Sequence, residues 1–333
     1  MAKNFKADGV LPSVCVVWKD KSCREIDEEA YRELLRSILQ SDVSAIVVGG
    51  HAGETECLSM KERLEVLNIA QEEAKGKVPV VGGVIADATW MAIEQAKIQR
   101  DAGADAVLFC PPTIIGWDPN TADNMIVQHV KKFDKQAGIP FIFFGGPTSE
   151  GSYKILPKTF KRLAIEAENL VGWKITTRYD LGAFRSCLNA LREAEEITGR
   201  RVAALNAGDH ILVEVLREGA DGTLNGGSIY RAAEDVEIFE AVKKGDIAGA
   251  FAIQDRLRPL TDAIRGVIYG YSHTYFHYRY KVAAWLLGKI PRPYMRLPML
   301  PVSKEEVKLM RDALIKSGMK PVREPQEIEM SDM

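Results

Sequence analysis

The sequence predicts an α/β fold, a (β/α)8 TIM barrel with an appended C-terminal helical region, on three observations. Eight short runs rich in apolar and β-branched residues alternate with longer stretches of helical period. The runs carry little apolar–polar alternation, as parallel strands buried on both faces do. The spacing is even and no composition break or linker divides the chain, which favours a barrel over a large doubly wound sheet. A length of 333 residues suits one barrel with additions.

In order, the candidate strands are residues 12–18, 45–49, 78–84, 106–110, 140–144, 170–174, 203–206 and 222–224. Between the first two, residues 28–39 place Tyr31, Leu34, Leu35, Ile38 and Leu39 on one helical stripe. Asp87-Ala88-Thr89 stands where a helix over residues 90–99 needs its N-terminal cap. Ala-Gly-Ala-Asp at 102–105 and Glu-Gly-Ala-Asp at 218–221 each end a helix with glycine and open a strand. Residues 232–287 then read as helical, punctuated by Gly245 and Pro259. Pro291, Pro293, Pro298 and Pro301 mark an extended segment, and residues 303–317 form a last amphipathic helix with Val307, Met310 and Leu314 inward. The organisation expected is a barrel over 1–230, a helical region packed on it over 231–320, and a polar, loose tail over 321–333.

Composition excludes several classes. A formal net charge of −2 offers no basic field for nucleic acid. The longest apolar runs, such as residues 45–48 and 78–81, are far too short to span a bilayer. The N-terminal residues lead into no apolar segment, so no signal peptide is expected. Five scattered cysteines without a CxxC pair argue against disulfides or structural zinc, and a reducing cytoplasm is expected.

In such a barrel the chemistry sits at the C-terminal ends of the strands. Lys174 ends the sixth, in Gly172-Trp173-Lys174. An ammonium buried there is costly unless paired or neutralised, and a neutral amine attacks carbonyls. A lysine snorkelling out of a strand end is the ordinary alternative. Gly49-Gly50-His51-Ala52-Gly53-Glu54 follows the second strand, where backbone amides can approach an anion or simply make a turn. Phe144 to Pro147, Asn206 to His210, and Gly222 to Ser228 put further glycines beside the mouth. Cys110 reads as a buried structural thiol, and Trp117 as a loop residue facing substrate or a neighbouring subunit. The cluster His273, Tyr275, His277, Tyr278 and Tyr280 reads as packing, and a His273–His277 metal pair has no supporting carboxylate motif.

Taken together, these residues resemble the dihydrodipicolinate synthase and N-acetylneuraminate lyase family of class I aldolases. The order carries the likeness: Gly50-His51-Ala52-Gly53-Glu54 after strand two, Phe144 before a proline turn after strand five, Gly172-Trp173-Lys174 with Thr176 at strand six, and Gly208-Asp209 after strand seven. Residues 64–74, Val78-Pro79-Val80 and residues 101–106 add to it. The resemblance implies that Lys174 forms a Schiff base with pyruvate or another 2-oxo acid, and that the strand-two loop holds the substrate carboxylate through amides around His51, Ala52 and Gly53. Thr176, Thr177, Asn225 and Ser228 would contact the acid or orient a substrate hydroxyl or carbonyl. The candidate set is therefore Lys174 and His51 as catalytic residues, with Gly50, Ala52, Gly53, Phe144, Thr176, Gly208 and Asn225 binding substrate. The resemblance also implies a homo-oligomer, tetramer or dimer. No metal or organic cofactor is needed, because the lysine imine is itself the electron sink.

The chain departs from the family at several points. His51 and Ala52 stand where Thr or Ser is usual. Phe144 replaces a tyrosine that shuttles protons, Cys110-Pro111-Pro112-Thr113 lacks a further tyrosine, and no arginine follows the strand-five turn. These differences argue against dihydrodipicolinate synthase activity, and His210 argues against a sialic acid lyase. His51, titrating near neutrality, is the candidate for the missing tyrosine's role. The expected activity is aldol cleavage or condensation, or hydratase-aldolase chemistry. The alternatives are a 2-oxo-acid dehydratase of sugar-acid catabolism, a non-catalytic oxo-acid binder, and a phosphate-binding barrel using Gly226-Gly227-Ser228.

Overall fold

The computed structural model describes residues 5–114, 122–147, 154–266 and 276–332. Trp117, His273 and Tyr275, named above, lie outside these residues, as does the stretch 148–150. Eight parallel strands alternate with helices: β1 (Gly9–Pro12), α1 (Glu28–Leu39), β2 (Ile46–Val47), α2 (Met60–Ala74), β3 (Val80–Val84), α3 (Thr89–Asp101), β4 (Ala106–Phe109) and α4 (Ala122–Ala137). The series continues with β5 (Phe141–Phe144), α5 (Pro157–Glu166), β6 (Leu170–Ile175), α6 (Leu181–Thr198), β7 (Ala203–Asn206), α7 (Leu212–Arg217), β8 (Gly222–Asn225) and α8 (Ser228–Lys243). Then come α9 (Ile247–Arg265), α10 (Phe276–Leu286) and α11 (Lys304–Lys316). The strand order β1-β8-β7-β6-β5-β4-β3-β2 leaves β1 and β2 at the two ends. The Ser13–Val47 bridge and the bond from Val14 N to Val47 O, 2.8 Å, draw those ends together, so the sheet is a nearly closed (β/α)8 barrel.

Alternation along each strand sorts the core. Leu11, Val47, Val81, Leu108, Ile142, Leu205 and Leu224 fill the barrel interior. The residues between them face the helices, as in the stack of Phe109 on Phe133 at 3.9 Å and of Trp173 on Phe160 at 3.8 Å. Helix α1 buries the stripe read from sequence, with Tyr31, Leu34, Leu35 and Ile38 inward and Asp27 capping Ala30 N. Helices α2 and α11 start on Ser59/Glu62 and Ser303/Glu306 capping boxes.

Four expectations are corrected. The first strand is Gly9–Pro12, paired from Gly9 with Gly222, and not residues 12–18. Val14 to Trp18 are buried all the same, between the barrel rim and the C-terminal helices. Burial with only isolated bonds at its ends, from Val14 N to Val47 O and between Trp18 and Ile26, leaves the same apolar signature as a strand. Asp87 does not cap α3; its carboxylate takes Thr113 N and Oγ1 at 2.6 and 2.7 Å. Pro259 lies within α9 and does not end it, and Ser317 Oγ receives the next amide, Leu260 N, at 3.1 Å. The tail is not loose: Val322 N bonds Leu286 O, Arg323 bonds Trp285 O, Ile328 is buried and Asp332 N reaches Lys21 O. A polar composition concealed these anchors.

The outer shell holds a titratable group with a measurable consequence. His129 on α4 is buried, with Nδ1 2.8 Å from Thr89 Oγ1 and its ring 5.0 Å from Phe109. Burial pushes its imidazole down from 6.5 to about 4. Between those values the unfolded chain binds a proton that the folded chain refuses. Stability present above the unfolded value is therefore lost as pH falls through this window, by up to about 3 kcal/mol from this residue. Urea unfolding should show His129→Phe losing less stability than the parent between neutral pH and pH ~4.5. Equal losses would refute the assignment.

Candidate active site at the C-terminal mouth of the barrel

Strand β6 aims Lys174 inward. Gly172, two residues earlier, shares that face: a Cβ there would meet Ala7 and Ile142 of the interior. Trp173 points outward and donates from Nε1 to Gly145 O at 3.0 Å, tying β6 to the turn after β5. Phe144 pairs in register with Lys174, and the lysine Nζ lies 5.0 Å from the centre of its ring. Lys174 itself is only 7% exposed, so the snorkelling alternative is set aside.

The strand-two loop reaches this point because Gly49 and Gly83 lack side chains: a Cβ at Gly49 would stand 2.0 Å from Gly83 N. Gly50 is extended, and His51–Gly53 forms a single 3-10 turn. The Gly53 amide, expected on a substrate carboxylate, closes that turn on Gly50 O at 2.9 Å. Ala52 packs its methyl toward Gly226 of the β8 loop. The His51 ring sits 5.1 Å from Phe144. Burial, and then the nearby Lys174 charge, push the His51 imidazole down to about 4, so the ring is neutral near pH 7.

The loop is fastened from behind by Glu54, a left-handed residue with φ 56°. Its buried carboxylate pairs with Lys281 of α10 at 2.7 Å and accepts from Trp18 Nε1 at 3.3 Å and Arg296 N at 3.1 Å. Helix α10 thereby reaches the mouth and brings His277 with it. The His277 ring stacks on His51 at 6.1 Å with 17° between planes. A run of contacts follows: Lys174 over Phe144, Phe144 to His51, His51 to His277, His277 to Phe276 at 3.9 Å, and Phe276 to the Arg265 guanidinium at 4.8 Å.

Gly208 and Asn225 belong to a second hydrogen-bonded patch, around β7 and β8. Asn206 makes a turn with Gly208, whose missing Cβ leaves room for the His210 ring. The Asn225 amide is held within the β8 turn, donating to Thr223 Oγ1 at 2.9 Å and accepting from Ser228 N at 3.0 Å. Asp209 is buried against Arg265 at 3.1 Å. Burial opposes its charge, yet Arg265, His210 and Arg231 hold the carboxyl well below its usual range. Thr176 and Thr177 are buried just beyond β6. Cys110 is buried, and its thiol is pushed up to about 12 by desolvation, which keeps it protonated.

Sequence reading missed three groups at or behind the mouth, Lys281, Arg265 and Glu56, and took a fourth, His277, for a packing residue. Glu56 follows the His51 turn with its side chain exposed, and partial desolvation of the carboxyl raises it from the ordinary carboxylate range. One signal existed: Lys281 and Arg279 are charges among the large rings and apolar residues of α10, as cations with buried partners are. Among the described residues, no cluster of three or more His, Cys, Asp or Glu side chains could hold a metal ion. Among them also, no helix is long and apolar enough to cross a membrane.

Comparison with known proteins follows the same lines. The sequence model of the Dihydrodipicolinate synthetase family matches residues 6–317. A 4-hydroxy-tetrahydrodipicolinate synthase of Rhodopseudomonas palustris is 32% identical over 296 residues, 88% of this chain and 92% of the relative. Another, from Methanopyrus kandleri, is 27% identical over 317 residues, 95% and 98% of the two chains. Among solved structures, the dihydrodipicolinate synthase of Thermotoga maritima superposes with a TM-score of 0.82 at 25% identity, covering 93% of this chain and 98% of that one. YagE, a prophage protein of the dihydrodipicolinic acid synthase family from E. coli K12 solved with pyruvate, superposes with a TM-score of 0.82 at 19% identity, covering 94% and 99%.

Proposed function

From the premise that the chain belongs to the dihydrodipicolinate synthetase family, a family of lyases and synthases, we propose that it is a class I, lysine-imine lyase acting on pyruvate or another 2-oxo acid. The observation that carries this is Lys174 buried at the C-terminal end of β6, its amine over the Phe144 ring at 5.0 Å. The Lys174 ammonium gives up a proton, the neutral amine attacks the ketone, the carbonyl oxygen leaves as water carrying that proton and one from the nitrogen, and a protonated imine forms on Lys174. That cation draws electrons from the neighbouring carbon, so a carbon–carbon or carbon–oxygen bond there can form or break. In this reading the carboxylate of the acid lies by the Gly50–Gly53 turn, with Thr176, buried just beyond β6, as a further contact. Homologues carry the synthase name. The proposal differs from that name because Phe144 has no hydroxyl with which to move a proton. Incubation with pyruvate and borohydride should add one reduced pyruvyl mass per chain. An unmodified chain across a range of 2-oxo acids would overturn the proposal, and formation of 4-hydroxy-tetrahydrodipicolinate would overturn its second part.

His51 takes over the proton transfer in this reading. Its ring is neutral before substrate binds, and the arriving carboxylate offsets the Lys174 charge that opposes its protonation. His51→Ala is expected to retain the borohydride adduct while turnover falls roughly 10²–10⁴-fold. Unchanged turnover would transfer the role to another group, and Glu56→Gln is the variant to compare.

A further inference from the structure

Resting on the lysine-imine reading, we propose that His277 is a positioning residue for proton transfer: it stacks against His51 so that the two imidazoles act as a pair carrying one proton. The (β/α)8 architecture alone would not nominate it, because it comes from α10, beyond the last barrel helix.

Geometry carries the argument. The two rings are nearly parallel at 6.1 Å. Phe276 at 3.9 Å and Tyr280 at 5.9 Å hold His277 from other sides. His51 in turn leans on Phe144, the ring beneath the Lys174 amine. An oxo acid condensed on that amine therefore has Phe144, then His51, then His277 in line from it, and of these three rings only the imidazoles can take a proton.

Charge then sets the capacity of the pair. The charged groups acting on His277 are Lys174 on β6, Arg265 at the end of α9, His51 when protonated, and Asp209 on the β7 loop. Burial, followed by the three cationic groups, holds His277 well below the ordinary imidazole value, and Asp209 opposes them. A proton on His51 disfavours a second on His277, so the pair accepts one proton and not two. In the exchange step, a proton leaves the methyl carbon next to the imine carbon for a ring nitrogen of His51. The C–H electron pair becomes the enamine double bond, and the C=N π pair moves onto the Lys174 nitrogen. Return of the proton to carbon reverses each move. The neutral His277 ring, nearly parallel at 6.1 Å, flanks His51 while its charge appears.

Deuterium exchange into the methyl group of pyruvate, followed by proton NMR in D2O, reads this step without knowledge of the natural substrate. The full-length protein is compared with His277→Phe, which keeps a ring for packing, and with His277→Gln, a second variant should the first fold poorly. Both should retain the borohydride adduct with pyruvate. Both should exchange at least about 10-fold more slowly, with an altered pH profile of exchange. If His277→Phe exchanges at the parent rate with the parent pH profile, His277 is a packing residue and the inference is overturned. If the parent chain forms no adduct, the lysine-imine reading fails, and this inference fails with it. An adduct with unaffected exchange in the variants sinks the inference alone.

Discussion

Replacing Lys174 with alanine is expected to abolish the borohydride adduct and to lower pyruvate methyl exchange on the order of 10³-fold or more, because the electron sink is then absent. Lys174→Arg should be equally inactive. A guanidinium stays protonated and forms no imine, although it preserves a cation over Phe144. The pair of variants thus separates nucleophilic from merely electrostatic roles. Circular dichroism should show both folded, since the barrel interior below Lys174 is filled by Leu205, Ile142 and their neighbours. An adduct mapped by peptide mass spectrometry to any other lysine, or exchange persisting in Lys174→Ala, would end the assignment.

The second large effect is on stability. Glu54 and Lys281 are each about 1% exposed in their side chains and 2.7 Å apart. Lys281→Ala leaves the Glu54 carboxylate buried with Trp18 Nε1 and Arg296 N as the donors to its side chain among the described residues. The expected cost is about 3–5 kcal/mol, read as a lower urea midpoint. The double variant Glu54→Gln/Lys281→Met should recover most of that loss, because removing both charges also removes their desolvation. The amide oxygen introduced by Glu54→Gln can still accept from Trp18 Nε1. Arg296, stacked on Trp18 at 4.2 Å and paired with Glu62 at 2.5 Å, lies next to the same junction. A Lys281→Ala protein as stable as the parent would show that the pair contributes no net stability. Where the variant remains folded, slower methyl exchange is also expected, since Glu54 closes the turn that carries His51.

The strand-end residues were legible because each belongs to one short local pattern. An apolar run ending in Lys174, a glycine-rich turn after β2 and an aromatic residue ending β5 sit where a parallel barrel places its chemistry. The first strand was misplaced by several residues because Val14 to Trp18 are buried while making only isolated bridges beyond the β1–β8 ladder. Hydrophobicity reports burial and not the partner. The tail was misread for the converse reason: its anchors are backbone bonds and a few side chains in a polar stretch.

What the sequence by itself determined is the alternation that makes the barrel and the placing of Lys174, Phe144 and His51 at its C-terminal rim. Tertiary structure alone decided that α10 crosses that rim, that Lys281 meets Glu54 across 227 positions of chain, and that His277 lies on His51. It also decided that the Gly53 amide and the Asn225 side chain are engaged by their own turns. The physical reason is the range of the forces that read out each feature. Strand and helix period are set by neighbours within a few residues. The return of a distant helix depends instead on which buried charge it neutralises and which apolar rim it covers, and no local pattern records that.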